Sequence, residues 1–108
     1  MLILFDQSAP APLRHALRTH VVVEVIERGW ERLDNGALLD AAEAEGFELL
    51  VTADKNLRYQ QNLTHRTIAI VVLGNAQWPL LRRYVDRVVA AVNAAAPGSH
   101  TEVEIPPT

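Results

Sequence analysis

The stretch Ile68-Ala69-Ile70-Val71-Val72-Leu73 is a continuous apolar run that ends at two turn residues, Gly74 and Asn75. Its short length and its β-branched residues are typical of a buried strand. Three further runs share this character: Leu2 to Phe5, Val21 to Ile26 (interrupted by Glu24) and Leu49 to Thr52. Strands that are apolar along their whole length need cover on both faces, which is the pattern of a parallel sheet.

Segments with helical spacing lie between these runs, at Pro12 to Arg18, Leu38 to Glu45 and Pro79 to Ala96, and a short helix is expected after the third strand. A last segment, Thr101 to Ile105, alternates glutamate with valine and isoleucine, which predicts a half-exposed edge strand. The alternation of strands and helices predicts a single α/β domain over residues 1–108. Its expected architecture is a three-layer α/β/α sandwich with a mainly parallel central sheet.

Composition excludes several classes of protein. The 108 residues include 13 acidic and 10 basic side chains, a net charge of −3, which does not fit a polybasic nucleic-acid binder. Cysteine is absent, so disulfides, thiolate metal sites and cysteine nucleophiles are excluded, and a reducing cytoplasm is the expected location. The sequence predicts neither a signal peptide nor a membrane span. It also lacks a glycine-rich phosphate loop and a nucleophile elbow.

Two aspartates, Asp6 and Asp54, follow the first and third predicted strands. The carboxyl ends of parallel strands form the usual ligand-binding edge of an open α/β sheet, so we expect both side chains there. Carboxylates that meet in a crevice repel each other unless a cation bridges them, and oxygen ligands favour Mg²⁺ or Mn²⁺. The structural alternative is that Asp6 begins a turn and Asp54 caps the short helix that follows.

A series of short motifs gives a more specific indication. In chain order, they include Phe5-Asp6-Gln7 before Pro10, Gly29-Trp30, Asn35-Gly36 with Leu38-Leu39, and Leu50 to Leu57. In this order and spacing the chain resembles the PIN-like domains of bacterial toxin–antitoxin systems, over nearly its whole length. The resemblance implies a metal-dependent ribonuclease in which three or four carboxylates bind Mg²⁺ or Mn²⁺. It also implies two partners, single-stranded RNA and a small antitoxin protein.

The catalytic residues carried over by this resemblance are Asp6, Asp54 and Asp40, of which Asp6 and Asp54 are the metal ligands. A further family acid lies at the start of the helix after the second strand, where this sequence has Asn35 and Ala37. Asp40 lies three residues after Ala37, near the same helix face, and is the candidate replacement. Asp34 is the other candidate. Without a third carboxylate, metal affinity should fall.

Polar residues beside the two aspartates are the candidate contacts to RNA: Gln7, Thr52, Lys55, Asn56 and Arg58. Thr52 is also placed to orient Asp54. The segment from Asn56 to Leu63 carries arginine, tyrosine, glutamine and asparagine side chains that can stack on bases or bind phosphates. The alternative for this segment is a solvated helix and loop in which Leu57 and Leu63 face the core.

Two functions follow from these observations. The first is a metal-dependent endoribonuclease that cleaves single-stranded RNA as the toxin of a toxin–antitoxin pair. The second is a degraded PIN-like module that binds RNA or a protein partner without cleavage, which Ala37 supports. A receiver-like domain is a third alternative, and the sequence disfavours it. Such a domain would need adjacent acids after the first strand, where Gln7 follows Asp6. The edge strand at Thr101 to Ile105 is a candidate surface for a homodimer.

Overall fold

Five parallel strands form the centre of the protein, whose computed structural model describes residues 1–107. The strands are β1 (Leu2–Phe5), β2 (Val21–Glu24), β3 (Leu49–Thr52), β4 (Ala69–Leu73) and β5 (His100–Val103). Their order across the sheet is β2-β1-β3-β4-β5, and every neighbouring pair is parallel. The predicted α/β architecture is confirmed, as is the parallel sheet.

Within residues 1–107, four α-helices and three 3₁₀ helices connect the strands. The α-helices are α1 (Asn35–Ala44), α2 (Leu57–Gln60), α3 (Trp78–Leu81) and α4 (Val85–Ala94). The 3₁₀ helices span Ala11–Leu17, Val25–Arg28 and Arg82–Tyr84. The helix predicted at Pro12 to Arg18 is therefore a 3₁₀ helix. The long helix predicted at Pro79 to Ala96 is divided into three pieces, and neither glycine nor proline marks the division.

The second strand is shorter than predicted because a capping box ends it. The Glu24 backbone N–H donates to Glu27 Oε2 at 2.7 Å, and the Glu24 side chain accepts a hydrogen bond in return. These two bonds satisfy backbone groups at the start of the 3₁₀ helix, so the chain leaves the sheet after Glu24. Ile26, which the sequence assigned to the strand, is exposed instead.

The alternation of side chains along each strand divides the core into two layers. Leu4, Leu50 and Ile70 are register partners on one face, where they pack with residues of α1 and α2. Phe5, Val51 and Val71 are register partners on the other face, where they pack with residues of the first 3₁₀ helix, α3 and α4. Helices therefore cover both faces of the sheet, as its apolar strands require.

Within residues 1–107, every helix is too short or too polar to cross a membrane. The predicted edge strand is present as β5, which pairs with β4 at the border of the sheet. Pairing of this edge with a second copy of the chain stays a prediction.

An ion-paired cluster joins α1 to the segment before β4. The Arg66 guanidinium lies 2.5 Å from Asp40 Oδ1 and 2.8 Å from Glu43 Oε1. Glu43 Oε2 accepts hydrogen bonds from the backbone N–H groups of Thr67 at 2.7 Å and Ile68 at 3.2 Å. Burial alone would raise the pKa of Glu43, but the hydrogen bonds from Arg66, Thr67 and Ile68 outweigh it and lower the pKa.

Replacing Glu43 with glutamine should lower the free energy of unfolding by about 1–3 kcal/mol near neutral pH, because bonds to a charged acceptor are lost. The folded-state pKa of Glu43 lies below the ordinary value of 4.5. The carboxylate therefore contributes stability above that value and loses the contribution as the pH falls through its folded-state pKa. Urea denaturation of the wild type and of Glu43→Gln, from neutral pH to below this folded-state pKa, should show the difference in unfolding free energy shrinking in acid.

Glu45→Gln is the matched control, since Glu45 is exposed just after the same helix and lies 3.8 Å from Arg28. An exposed pair of this kind should contribute less than about 1 kcal/mol. Equal losses of unfolding free energy in the two variants would contradict the stabilising role of the Glu43 carboxylate. A Glu43→Gln difference that persists at acid pH would contradict it as well.

Candidate functional site

A cavity of about 280 Å³ lies at the carboxyl edge of the sheet. It is lined by Asp6, Gln7, Ser8, Val25, Trp30, Glu31, Leu33, Asn35, Leu38 and Asp54. Asp6 directly follows β1 and Asp54 follows β3, and these two strands are neighbours in the sheet. The structure therefore brings the two predicted aspartates to one cavity.

The Asp6 carboxylate is held by hydroxyl and amide donors from both strand ends. Its Oδ1 accepts hydrogen bonds from the Ser8 backbone N–H at 2.6 Å and from the Ser8 hydroxyl. Its Oδ2 accepts a hydrogen bond from the Thr52 hydroxyl. Bonds to an ionised carboxylate are among the stronger hydrogen bonds in proteins, so these donors fix the orientation of Asp6.

Thr52 is a positioning residue and not a substrate contact, which corrects the prediction that it binds RNA. Its side chain is buried, with 1% of its surface exposed. The Thr52 hydroxyl donates to Asp6 and accepts a hydrogen bond from the Asp54 backbone N–H at 3.0 Å. The Ser8 hydroxyl adds a second connection, since it accepts a hydrogen bond from the Ala53 backbone N–H at 2.8 Å. Together the two hydroxyls link the ends of β1 and β3.

The Asp54 carboxylate is held from both sides. Its Oδ1 accepts a hydrogen bond from the Asn56 backbone N–H at 2.9 Å, and its Oδ2 accepts one from Asn35 Nδ2 at 3.2 Å. The same Asn35 nitrogen donates to Gln60 Oε1 at 3.3 Å. Because two acceptors face this nitrogen, the orientation of the Asn35 amide is determined. Asn35 thus presents a donor to Asp54 at a position where the resemblance implies a third acid.

The structural alternative considered for the two aspartates is compatible with the functional one. Asp6 forms a turn with the backbone of Ser8, as that alternative expects. Asp54 forms a similar turn with the backbone of Asn56 but does not cap α2, whose N-cap residue is Asn56. Each carboxylate still lines the cavity. Asp6 Oδ1 accepts two hydrogen bonds from Ser8, whereas Asp6 Oδ2 and each Asp54 oxygen accept one, so acceptor capacity remains on both side chains.

Asp40 does not lie at this cavity, which corrects its assignment to the catalytic set. Its carboxylate is paired with Arg66 and is 73% exposed. The spacing from Ala37 gave the correct helix, but the long-range pairing with Arg66 draws this side chain toward the segment before β4. Asp34, the other candidate, caps α1 by accepting a hydrogen bond from the Ala37 backbone N–H at 2.8 Å.

Of the other predicted RNA contacts, only Gln7 is among the residues that line the cavity, and Lys55, Asn56 and Arg58 are not. Lys55 and Asn56 are exposed directly after Asp54. Arg58 is exposed on α2, and its guanidinium carbon lies 4.8 Å from the centre of the Tyr59 ring.

Several residues of the site were missed by reasoning from the sequence. Ser8 could have been found, because an aspartate two residues before a serine is a common turn pattern. Glu31 contributes a third carboxylate to the cavity lining from the loop before α1, and nothing in the sequence marks it. Trp30 also lines the cavity, and its ring packs on Phe47 with 5.9 Å between ring centres.

Across residues 1–107, no three or more aspartate, glutamate, histidine or cysteine side chains are arranged to hold a metal ion. Asp6 and Asp54 are the two predicted metal ligands, and both line the cavity. Mg²⁺ is commonly bound by one or two carboxylates together with waters and substrate phosphates. The donor set therefore fits one hard divalent ion that binds together with a phosphate, and it does not fit a closed cage.

Comparison of the chain with protein-family models, with curated proteins and with solved structures finds no match.

Replacing Thr52 with valine should lower the free energy of unfolding by about 1–3 kcal/mol, because it leaves the Asp54 N–H and one oxygen of Asp6 without their partner. Thr64→Val is the matched control, since the Thr64 hydroxyl donates to Asn62 Oδ1 at 2.6 Å in an exposed loop. Chemical denaturation measures the free energy of unfolding of both variants. Equal stability of the two variants would contradict the linking role of Thr52.

Proposed function

We propose that this protein is a metal-dependent endoribonuclease that cleaves single-stranded RNA. The observation that carries the proposal is the convergence of Asp6 and Asp54, from two neighbouring strands, on one cavity at the carboxyl edge of the sheet. The resemblance to PIN-like toxins supports the same activity. It further suggests a small antitoxin protein as partner and the cytoplasm as location.

Asp6 and Asp54 would hold one Mg²⁺ or Mn²⁺, with Glu31 at the same cavity as a further acidic side chain. A divalent ion bound there would neutralise the carboxylates, polarise a phosphodiester and acidify a bound water. Thr52 and Ser8 keep Asp6 in one orientation through three hydrogen bonds. A carboxylate that is already oriented loses little conformational freedom when it binds a ligand.

Two exposed cations on the segment that follows Asp54 support RNA as the substrate despite the net charge of −3. Lys55 and Arg58 are exposed and follow Asp54 closely in the chain. Lysine and arginine side chains contact phosphates without regard to sequence, which suits a nuclease that acts on an RNA backbone. Gln7, which lines the cavity, and Asn56 are also exposed and can donate hydrogen bonds to phosphate or sugar oxygens.

A second candidate function is RNA binding without cleavage, and the contact between Asn35 and Asp54 favours it. Asn35 Nδ2 donates to Asp54 Oδ2 at 3.2 Å, so an amide occupies space beside Asp54 that a further carboxylate would use to bind a cation. An amide nitrogen cannot ligate Mg²⁺. The two functions differ in whether the protein cleaves the RNA that it binds.

The purified protein should cleave a single-stranded RNA in Mn²⁺ or Mg²⁺ and lose this activity when EDTA is added. Asp6→Asn and Asp54→Asn should each reduce the cleavage rate by at least roughly a hundredfold, because each removes a charge from the site of transition-state stabilisation. Gel analysis of an end-labelled oligonucleotide gives the rates.

Asp40→Asn is the matched control for these variants, because Asp40 is paired with Arg66 away from the cavity. Its activity should remain within about twofold of the wild type. Cleavage that survives both Asp6→Asn and Asp54→Asn would refute the proposed active site. Metal-independent binding of RNA with no cleavage in the wild type would favour the second function.

Asn35→Asp should increase the affinity for Mn²⁺ by roughly tenfold or more, because it adds a carboxylate beside Asp54. Without metal the variant should be less stable than the wild type, since repulsion between like charges replaces a hydrogen bond. Thermal unfolding across a Mn²⁺ titration reports both effects. Asn62→Asp adds the same charge in an exposed loop where the acceptor oxygen is retained, and it serves as control. A Mn²⁺ response equal to that of Asn62→Asp would count against a cation at Asp54.

A further inference from the structure

Tyr59 is the most exposed of the large hydrophobic side chains of residues 1–107, at 73%. It lies on α2, directly after the segment that carries Asp54. The packing of this region is supplied by other residues, since Leu57 is 1% exposed and the partly buried Leu63 packs against the same core cluster. An aromatic ring that buries so little surface does not serve the core.

The Tyr59 ring is held in place by its neighbour. The Arg58 guanidinium carbon lies 4.8 Å from the ring centre, and an Arg58 N–H donates to the Tyr59 hydroxyl at 2.6 Å. The guanidinium covers one face of the ring in a cation–π contact. The high exposure of the side chain leaves the rest of the ring surface open to a ligand.

A chain of hydrogen bonds connects α2 to the cavity. Gln60, which follows Tyr59, accepts a hydrogen bond from Asn35 Nδ2, and the same nitrogen donates to Asp54 Oδ2. The Asn56 backbone N–H donates to Asp54 Oδ1 at the other end of this segment. The two contacts fix the start and the end of the α2 segment relative to Asp54, so the position of the aromatic ring relative to the cavity is also constrained.

We infer that Tyr59 is a stacking platform for an unpaired base, next to the phosphate bound at Asp6 and Asp54. The inference rests on the proposed function and names the feature by which the site would select single strands. An open aromatic face stacks on any base, whereas the bases of a duplex are already stacked on one another. Arg58 would add a phosphate contact beside the stacked base. The platform therefore recognises single-stranded RNA with little preference for sequence.

Binding of a fluorescein-labelled uridine octamer in EDTA tests the platform separately from cleavage. Tyr59→Ala should weaken binding by roughly 5- to 100-fold, the range expected for one base–aromatic stack, and Tyr59→Trp should restore it. Arg58→Ala should weaken binding and reduce its salt dependence by about one phosphate contact. Arg87→Ala is the matched control, because Arg87 also lies over a tyrosine ring, 5.1 Å from the centre of Tyr84, but on α4.

A second probe isolates the base. An octamer of the same length with abasic ribose phosphates should bind the wild type more weakly than the uridine octamer does. Tyr59→Ala should bind the two octamers with equal affinity, because the partner of the base is gone. Since Tyr59 is exposed, thermal unfolding of the variant should match that of the wild type.

The outcomes separate the platform from the proposed nuclease activity. If Tyr59→Ala binds the uridine octamer as tightly as the wild type, or if the wild type does not bind it, the platform is wrong whether or not the wild type cleaves RNA in Mn²⁺. If Tyr59→Ala loses the distinction between the octamers while the wild type fails to cleave, the platform stands and the nuclease proposal fails. If the octamer binds only when a protein partner is present, the wild type, Tyr59→Ala and Arg87→Ala should all bind it equally poorly on their own. That result would also overturn the platform.

Discussion

The candidate site depends on the two hydrogen bonds of the Thr52 hydroxyl. This hydroxyl lies in a buried position between the Asp6 carboxylate, to which it donates, and the Asp54 backbone N–H, from which it accepts. Burial of this hydroxyl is favourable only when both partners are in place, because a buried polar group without a hydrogen-bond partner costs free energy. The parallel register that pairs Phe5 with Val51 brings the two strand ends level. Sheet register, turn geometry and the orientation of Asp6 are therefore parts of one arrangement.

Exposed cations follow Asp54 in a chain whose net charge is −3. Arg14, Arg28 and Arg66 lie in ion pairs with glutamates, so much of their charge is neutralised within the protein. Lys55 and Arg58 lie instead on the exposed segment that follows Asp54. A ligand that contacts this segment encounters these local charges at short range, where they matter more than the net charge, since salt screens more distant charges.

The sequence was sufficient for the sheet and for part of the site. Continuous apolar runs predicted the parallel strands, and the rule that strand ends share an edge brought Asp6 and Asp54 together. Helical spacing was less informative, since it shows which residues share a face but not what that face contacts. Asp40 illustrates the difficulty, because its partner Arg66 is 26 positions away in the chain. The break at Arg82–Tyr84 also lacks a local signal, and the role of Thr52 depends on contacts between strands.

The position of the Asn35 amide bears both on how a metal ion would bind at Asp54 and on how RNA would bind there. With an asparagine beside Asp54, the nearby carboxylates neutralise less of a cation's charge than a site with one more acid would. Under the proposed function, the phosphate must then supply part of the negative charge and some of the ligands, so the ion and the RNA would stabilise each other's binding. A site of this kind needs an independent means of holding RNA beside the cavity. Under the proposed function, the exposed ring of Tyr59 and the cations of the same segment would meet that requirement, because they would contact an RNA strand without using the metal.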